Sequence, residues 1–175
     1  SGELLALADQ VRSGDPGNVE AQAARLYWSR TLGRGVGRQP AAGQLIGANA
    51  CLDYGYAVLR GHLMRAVLAA GLAPALGVFH RGRGNAFALA DDLIEPFRPA
   101  IDEVALPLPA TASPSDREVK QLLVAAASQR FDADGHGIPA VAEALAQSFG
   151  RYIEGDIDRL QVVSWQGPSR VGVGD

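Results

Sequence analysis

The longest helical pattern in the chain runs from Leu45 to Ala70. Apolar residues recur in it every three or four positions, as they do on the buried face of a helix. Gly71 follows directly, and glycine is common just past the end of a helix because it adopts a left-handed conformation without strain. The pattern therefore predicts one long helix that ends before Gly71. Its apolar positions are Leu52, Tyr56, Leu59, Leu63 and Val67.

Shorter helical patterns lie on both sides of this long one. Asn18 is a good N-cap for the second of them, and Pro96 and Pro99 are expected to kink or end the third. A turn is predicted over 131–139, with Asp134-Gly135 at its tip as in a short β-hairpin. The sum is an all-α domain, in which any strand is confined to that hairpin. The shorter helices are predicted over residues 4–12, 18–32, 86–94, 116–130 and 140–160.

Composition sets the outer limits of the fold. A chain of 175 residues, 47% of them apolar, suits a single domain over residues 1–175 with a sizeable core. Arg60, His62 and Arg65 interrupt the longest apolar run, so no segment is expected to span a membrane. Cys51 is the only cysteine, which excludes an intrachain disulfide and fits a reducing compartment.

The charge distribution bears on nucleic-acid binding. A net charge of −3 argues against a protein that coats DNA non-specifically. Residues 1–100 nevertheless hold ten basic and eight acidic side chains, and 15 of the 16 basic residues of the chain are arginine. The planar guanidinium group of arginine suits phosphate well. The arginine excess predicts a local phosphate-binding face, although a GC-rich genome would produce the same bias.

A second block of sequence brings metal-binding residue types close together. His80 ends an apolar segment, and a stretch rich in carboxylates follows over 89–99 (LADDLIEPFRP). Carboxylates three or four positions apart share a face of a helix and repel each other when no cation is present. Hard divalent cations prefer carboxylate oxygens, sometimes with one imidazole, so the block predicts a metal site. The carboxylates are Asp91, Asp92 and Glu95.

Each of these residues also has an ordinary structural interpretation. A glutamate in the first turn of a helix, such as Glu20, interacts favourably with the helix dipole. A lone histidine such as His80 is often a structural residue, and acids on a helix often form a solvated face. Tyr54 and Tyr56 suit a helical core as well as they suit contacts with a substrate. The residue types alone leave both interpretations open.

Three motifs occur in the order found in one known family. They are residues 17–27 (GNVEAQAARLY), residues 49–56 (NACLDYGY) and residues 76–99, which contain His80 and the carboxylate stretch. With them the chain resembles the spacer-acquisition integrase of CRISPR immune systems, and most closely the form found with single-effector (type II) systems. Beyond Pro99 the resemblance is weaker.

The resemblance implies a catalytic metal site. Glu20, His80 and Glu95 match the family's ligands for Mg²⁺ or Mn²⁺, and Asp92 matches a position that makes it a further ligand or a partner that orients one. Arginines near such a site are expected to bind the DNA backbone. The expected DNA contacts are Arg34, Arg38, Arg81, Arg83, Arg98 and Tyr54.

The resemblance also implies an activity and partners. Family members join a captured DNA fragment, the prespacer, to a CRISPR repeat by attack of a 3′-hydroxyl on a phosphodiester. They act in the prokaryotic cytoplasm as a homodimer with a smaller adaptation protein, and they carry an N-terminal β-rich domain. No trace of that domain is visible in this chain, which begins Ser1-Gly2, so we expect the C-terminal catalytic domain alone.

Two other functions stay open at this point. A hydrolytic nuclease would use the same metal ion, with water in place of the 3′-hydroxyl. A non-catalytic helical interaction domain would keep the motifs for structural reasons only. Metal binding separates the second of these from both enzymes.

One further motif is expected not to bind metal. Residues 132–137 (DADGHG), with Glu143 at the twelfth place, mimic a calcium-binding loop. His136 stands at the fifth position, where an aspartate or asparagine belongs, and Pro139 replaces a small apolar residue. We therefore favour a plain turn here.

Overall fold

The computed structural model describes residues 2–11, 15–32, 37–40, 43–79 and 84–167. The chain forms two compact units, Ser1–Gly43 and Gln44–Asp175. The single domain expected over residues 1–175 stays a prediction.

The first unit contains a pair of helices. Helix α1 spans Gly2–Ala8 and helix α2 spans Val19–Thr31, and an ion pair between Glu3 and Arg30 joins them. Helix α1 ends four residues before the predicted boundary at residue 12. The predicted range of α2 is confirmed to within one residue at each end.

The carboxylate of Asp15 caps α2. It accepts the backbone N–H groups of Val19 and Glu20, at 2.8 and 3.0 Å. Asn18 holds the predicted N-cap position, but its side chain makes no cap hydrogen bond and its φ of 50° is left-handed. An aspartate suits this place because it satisfies the first amide groups and favours the positive end of the helix dipole.

The long predicted helix is the centre of the second unit. It is present as α3, Gly47–Ala69. Gly71 has a φ of 72°, and the N–H of Leu72 donates to the carbonyl of Val67, which confirms the predicted glycine at the end of the helix. The apolar face of α3 forms the core. Its fully buried side chains are Cys51, Leu52, Leu59, Leu63 and Val67.

The helix after Phe87 ends before the prolines, which were expected to kink or end it, and the chain then continues as further helical structure. Helix α4 spans Ala88–Leu93, a 3₁₀ turn spans Glu95–Phe97, and helix α5 spans Arg98–Ala105. Pro96 lies in the 3₁₀ turn and Pro99 in the first turn of α5, where the missing N–H has no helical partner to lose. The prolines therefore redirect the chain, and α5 is a helix that the sequence did not predict.

Two further helices complete the second unit. Helix α6 spans Arg117–Ala126 and helix α7 spans Ile138–Glu154, each shorter at its C-terminal end than predicted. Between them the N–H of Phe131 donates to the carbonyl of His136, beside an isolated β-bridge from residue 130 to residue 137. Gly135 at the tip has a φ of 85°. The predicted turn is confirmed, and the predicted hairpin is reduced to that one bridge.

The all-α class is confirmed. Helix α3 packs against α4, α5, α6 and α7, and regular structure in the described ranges is helical apart from the isolated bridge. None of the helices described is both long enough and apolar enough to cross a membrane.

Candidate functional site

The acidic stretch of the second unit lies on α4 and the turn that follows it. Helix α4 buries its apolar side in the core, and its two aspartates are half-buried on another side. Glu95 begins the 3₁₀ turn and is exposed. The buried side chains of α4 are Ala88, Leu89, Ala90 and Leu93.

Asp91 is bound by an arginine of the central helix. Nε and Nη2 of Arg60 donate to its two carboxylate oxygens, at 2.6 and 2.8 Å, and Nδ2 of Asn85 donates to Oδ2 at 2.7 Å. The guanidinium charge offsets the charge of Asp91. Crowding of carboxylates at Asp91 therefore does not require a metal cation, contrary to what the sequence pattern alone suggests.

Asp92 holds the chain just before His80 in the sequence. Its Oδ2 accepts the backbone N–H groups of Val78 and Phe79, at 2.5 and 3.1 Å. Through these two hydrogen bonds, Asp92 fixes the orientation of the backbone at Val78 and Phe79. Whether Asp92 also binds a metal ion stays a prediction.

Glu95, the predicted metal ligand, pairs with the next arginine along the chain. Nε of Arg98 donates to Oε1 of Glu95 at 2.9 Å, and the Glu95 side chain is 59% exposed. The guanidinium carbon of Arg98 lies 4.5 Å from the ring centroid of Tyr56. The hydroxyl of Tyr56 in turn donates to Asp102, which is buried. The ring of Tyr56 therefore belongs to the core, and the guanidinium group of Arg98 packs against its face.

An open cavity of about 470 Å³ borders this stretch. Phe79, Asp92 and Pro96 line one side of it, and α7 and the chain that follows α7 line the other. The side chain of Phe79 is 72% exposed. Of the acids in this stretch, Asp92 thus lies at the edge of an open cavity.

The other predicted site residues are placed less completely. Glu20 is exposed in the first turn of α2, in the first unit. Arg38, in the same unit, is half-buried with its guanidinium carbon 5.8 Å from the ring centroid of Trp28. Tyr54 is half-buried on α3. His80, Arg34, Arg81 and Arg83 lie outside the described residues, so the convergence of Glu20, His80 and Glu95 stays a prediction.

A second group of metal-ligating side chains lies in the turn before α7. One ligand atom from each of Asp132, Asp134 and His136 falls within 4.8 Å of the others. Nδ1 of His136 bonds to Oδ2 of Asp132 at 2.8 Å. This hydrogen bond and the negative charges of the two aspartates raise the pKa of His136. In the sequence these residues mimic a calcium loop imperfectly, which is why a plain turn without metal was expected there. Alternation at positions 132, 134 and 136 was the available signal.

A family of known proteins matches the part of the chain that carries the three motifs. The family described as CRISPR associated protein Cas1 matches residues 17–113. The CRISPR-associated endonuclease Cas1 of Neisseria meningitidis serogroup C is 50% identical over 99 residues, which cover 57% of this chain and 31% of that protein. The CRISPR-associated endonuclease Cas1 2 of Pyrobaculum aerophilum is 28% identical over 154 residues, covering 85% and 52%. The chain thus matches about a third to a half of the length of these relatives.

A solved structure has a similar fold. A casposase bound to integration product superimposes with a TM-score of 0.73, covering 91% of this chain and 53% of that one, at 18% identity. This chain is therefore an all-α domain with a fold similar to that of the matched part of the casposase. Since the family match spans more than half of the residues, the chain belongs to the CRISPR associated Cas1 family.

Proposed function

We propose that this chain is the catalytic part of a metal-dependent DNA endonuclease and integrase that inserts new spacers into a CRISPR array. The observation that carries the proposal is the family match over residues 17–113, because that range contains Glu20, His80 and Glu95. Two further findings support it. The matching curated proteins are named endonucleases, and the casposase of similar fold was solved with an integration product.

Glu20, His80 and Glu95 would hold a divalent cation, either Mg²⁺ or Mn²⁺. Carboxylate oxygens with one imidazole are a suitable donor set for these ions. Glu95 fits the role because its carboxylate is largely exposed at the edge of the α4 segment. When bound, the ion would polarise the scissile phosphate and stabilise the charge on its oxygens. Asp92 would orient the chain that leads to His80, through the amides of Val78 and Phe79.

The reaction would be a transesterification between two DNA strands. The 3′-hydroxyl oxygen of the prespacer forms a bond to a phosphorus of the repeat, and the bond from that phosphorus to the 3′-oxygen of the repeat strand breaks. The proton of the attacking hydroxyl ends on the leaving oxygen. No nucleophilic side chain is required, which agrees with a sequence that lacks a Ser-His-Asp or Cys-His set of recognisable spacing.

The arginines would bind phosphates of the DNA backbone beside the metal site. Arg98 is next to Glu95 in space, as a phosphate contact near the reacting centre must be. The remaining proposed contacts with DNA are Arg34, Arg38, Arg81, Arg83 and Tyr54.

A hydrolytic DNA nuclease is the second candidate. The names of the curated relatives, which say endonuclease and not integrase, favour it. The same residues would hold the same ion, and a water molecule would replace the 3′-hydroxyl as the nucleophile. Only the products distinguish the two reactions, joined strands in one case and cleaved strands in the other.

We further propose the partners and the location that the family implies. The chain would act in a homodimer, with a smaller CRISPR adaptation protein, on a prespacer and a CRISPR repeat in the prokaryotic cytoplasm. The relation to single-effector (type II) systems belongs to this proposal as well.

Replacing Glu95 with alanine in the complete protein tests the proposed site. We expect loss of both strand joining and strand cleavage in Mn²⁺, with DNA affinity changed less than threefold, because the substitution removes a metal ligand and no phosphate contact. Glu143→Ala is the matched control, since Glu143 is an exposed glutamate on α7. Joining and cleavage are followed on a labelled prespacer with a repeat-bearing plasmid, and affinity by fluorescence anisotropy.

Replacing Arg81 and Arg83 together should have the opposite signature. We expect weaker DNA binding, with a salt dependence whose slope falls by about one for each lost phosphate contact. An equal loss of DNA affinity in this variant and in Glu95→Ala would show that the roles are wrongly assigned. Unchanged joining and cleavage by Glu95→Ala would remove Glu95 from the proposed metal site, and an absence of both activities in the unaltered protein would leave the non-catalytic interaction domain.

A further inference from the structure

The side chain of Tyr56, on α3, contacts two residues of α5 that are four positions apart. The guanidinium carbon of Arg98 lies 4.5 Å from the centroid of its ring, and its hydroxyl donates to the carboxylate of Asp102. Residues four apart share a face of a helix, so both contacts meet the same side of α5. Tyr56 and Asp102 are only 7% and 5% exposed. Because the side chain is buried and its hydroxyl end is bound, the ring keeps its place against Arg98.

Arg98 is the exposed partner in this arrangement. Its side chain is 31% exposed, and its Nε donates to Oε1 of Glu95 at 2.9 Å. In the part of the chain that the structure describes, its terminal nitrogens Nη1 and Nη2 make no hydrogen bond. These two nitrogens carry most of the N–H donors of a guanidinium group. The group is thus held at Nε and over the ring, while most of its donors are available to a ligand.

A phosphate group is the ligand that suits such an arginine. A guanidinium group binds phosphate through two parallel N–H bonds, which require a defined orientation of its plane. A cation over an aromatic ring is stabilised there, so the ring favours one orientation of the plane. Without the ring, Arg98 would be a long side chain with many rotamers, and the loss of that freedom on binding would oppose the contact.

We propose that Tyr56 is a positioning residue for a DNA phosphate site formed by Arg98. Tyr56 directs the terminal nitrogens of Arg98 towards a backbone phosphate and does not touch the DNA itself. The face of the ring performs this role, and the hydroxyl bond to Asp102 serves the fold. The proposal rests on the proposed function, since it takes Arg98 as a DNA contact.

Two substitutions of Tyr56 separate the ring from the hydroxyl. Tyr56→Phe and Tyr56→Leu both remove the bond to Asp102, but only Tyr56→Leu removes the aromatic face. The affinity of the complete protein for a labelled DNA duplex is measured by fluorescence anisotropy at several salt concentrations, without divalent cations and below the melting temperature of every variant. Tyr56→Phe should stay within twofold of the parent. Tyr56→Leu should weaken binding at least threefold and lower the salt slope by about one, as the loss of one phosphate contact does.

A double variant distinguishes positioning from a general effect on the fold. Arg98→Met should also weaken binding at least threefold and lower the slope by about one. If Tyr56 acts through Arg98, Tyr56→Leu/Arg98→Met should bind within twofold of Arg98→Met alone. If Tyr56→Leu does not fold, Tyr56→Met takes its place, since methionine fills irregular gaps in a core and has no aromatic face. Arg117→Met, at an exposed arginine that begins α6, is the control for lost charge and should keep the slope of the parent.

The outcomes separate this inference from the proposed function. If Arg98→Met weakens DNA binding and Tyr56→Leu stays within twofold of the parent, only the role of Tyr56 is wrong. The same conclusion follows if Tyr56→Phe loses as much affinity as Tyr56→Leu, or if the effects of Tyr56→Leu and Arg98→Met add in full. If Arg98→Met keeps the affinity and slope of the parent, or if Arg117→Met loses as much, Arg98 is not a phosphate contact. The inference then falls together with that part of the proposed function.

Discussion

Asp91 and Asp92 are neighbours in the sequence, and their carboxylates hold different partners. Asp91 binds the side chains of Arg60 and Asn85, and Asp92 binds two backbone amides. The difference follows from the helix, on which consecutive residues point about 100° apart. Neither role can be read from the residue type. At this scale the function of an acid depends on what the fold brings to it.

The titration of His136 is a residue-scale prediction. Its bond to Asp132 and the charge of Asp134 raise the pKa of His136 above the ordinary value of 6.5. Because the folded pKa is the higher one, the contact stabilises the fold fully below about pH 6.5, and this stabilisation is lost as the pH rises through the folded pKa. Asp132→Asn should lower the pKa of His136 towards 6.5, measured from the ring-proton shifts by NMR.

His62 provides the internal reference for that titration. Burial, helped by the charge of Arg65, lowers the pKa of His62, and Asp132 has no part in this. The His62 titration should therefore be the same in the parent and in Asp132→Asn. An unchanged pKa of His136 in the variant would contradict the role given to Asp132.

The crossing of α3 and α5 shows what decides packing at the scale of elements. A Cβ atom placed on Gly55 of α3 would lie 2.5 Å from Cγ2 of Ile101 on α5, and Ile101 is fully buried. The glycine is thus required by the close approach of two helices, and not by a turn. It lets the helix that carries Arg98 lie directly against the central helix.

Gly55→Ala is therefore expected to destabilise the fold. We expect a loss of about 1–3 kcal/mol in the free energy of unfolding, because Ile101 cannot withdraw in a filled core. Gly61→Ala is the matched control on the same helix, where a Cβ atom meets nothing within 4 Å. It should stabilise by about 0.5–1 kcal/mol through the better helix propensity of alanine. Urea denaturation measures both, and equal effects of the two substitutions would refute the close-packing argument.

At the scale of the whole molecule, folding and the proposed integration reaction make different demands on the chain. The second unit has a continuous core around α3, and Cys51 is buried without a disulfide partner. Integration at two sites of a repeat needs two active centres at a fixed spacing, which the proposed homodimer would supply. A chain of net charge −3 has little general attraction for DNA that could replace such an assembly.

We therefore expect the 175-residue chain to fold by itself but to join DNA poorly. Cooperative thermal unfolding, followed by circular dichroism, tests the first part. For the second part, the chain alone and the complete protein with the proposed smaller adaptation protein are incubated with a prespacer and a repeat-bearing plasmid in Mn²⁺. Comparable joining by the chain alone would contradict the need for the larger assembly. An absence of joining by the complete assembly would contradict the integrase reaction itself.

Local sequence patterns determined the helices and most of their ends. The periodicity of α3, Gly71 after it and the turn at Asp134-Gly135 each involve residues within a few positions of one another, so the pattern and the structure share one cause. The pattern failed where two local signals competed. Pro96 and Pro99 predicted a kink or an end, and α4 does end at Leu93. Proline in a first turn is also compatible with a helix that follows, however, and α5 was missed.

Tertiary structure alone decided the contacts of the candidate site. Arg60 and Asp91 are 31 residues apart in the chain. No sequence pattern of period two, three or four could have paired them. The contact between Tyr56 and Arg98 likewise depends on where the fold brings two distant residues together. The sequence alone was enough for the family, for every described helix except α5, and for Glu20, His80 and Glu95 as proposed ligands. Which charges are paired, and therefore which acid orients its neighbours and which is exposed to a cation, follows from packing between elements distant in the chain.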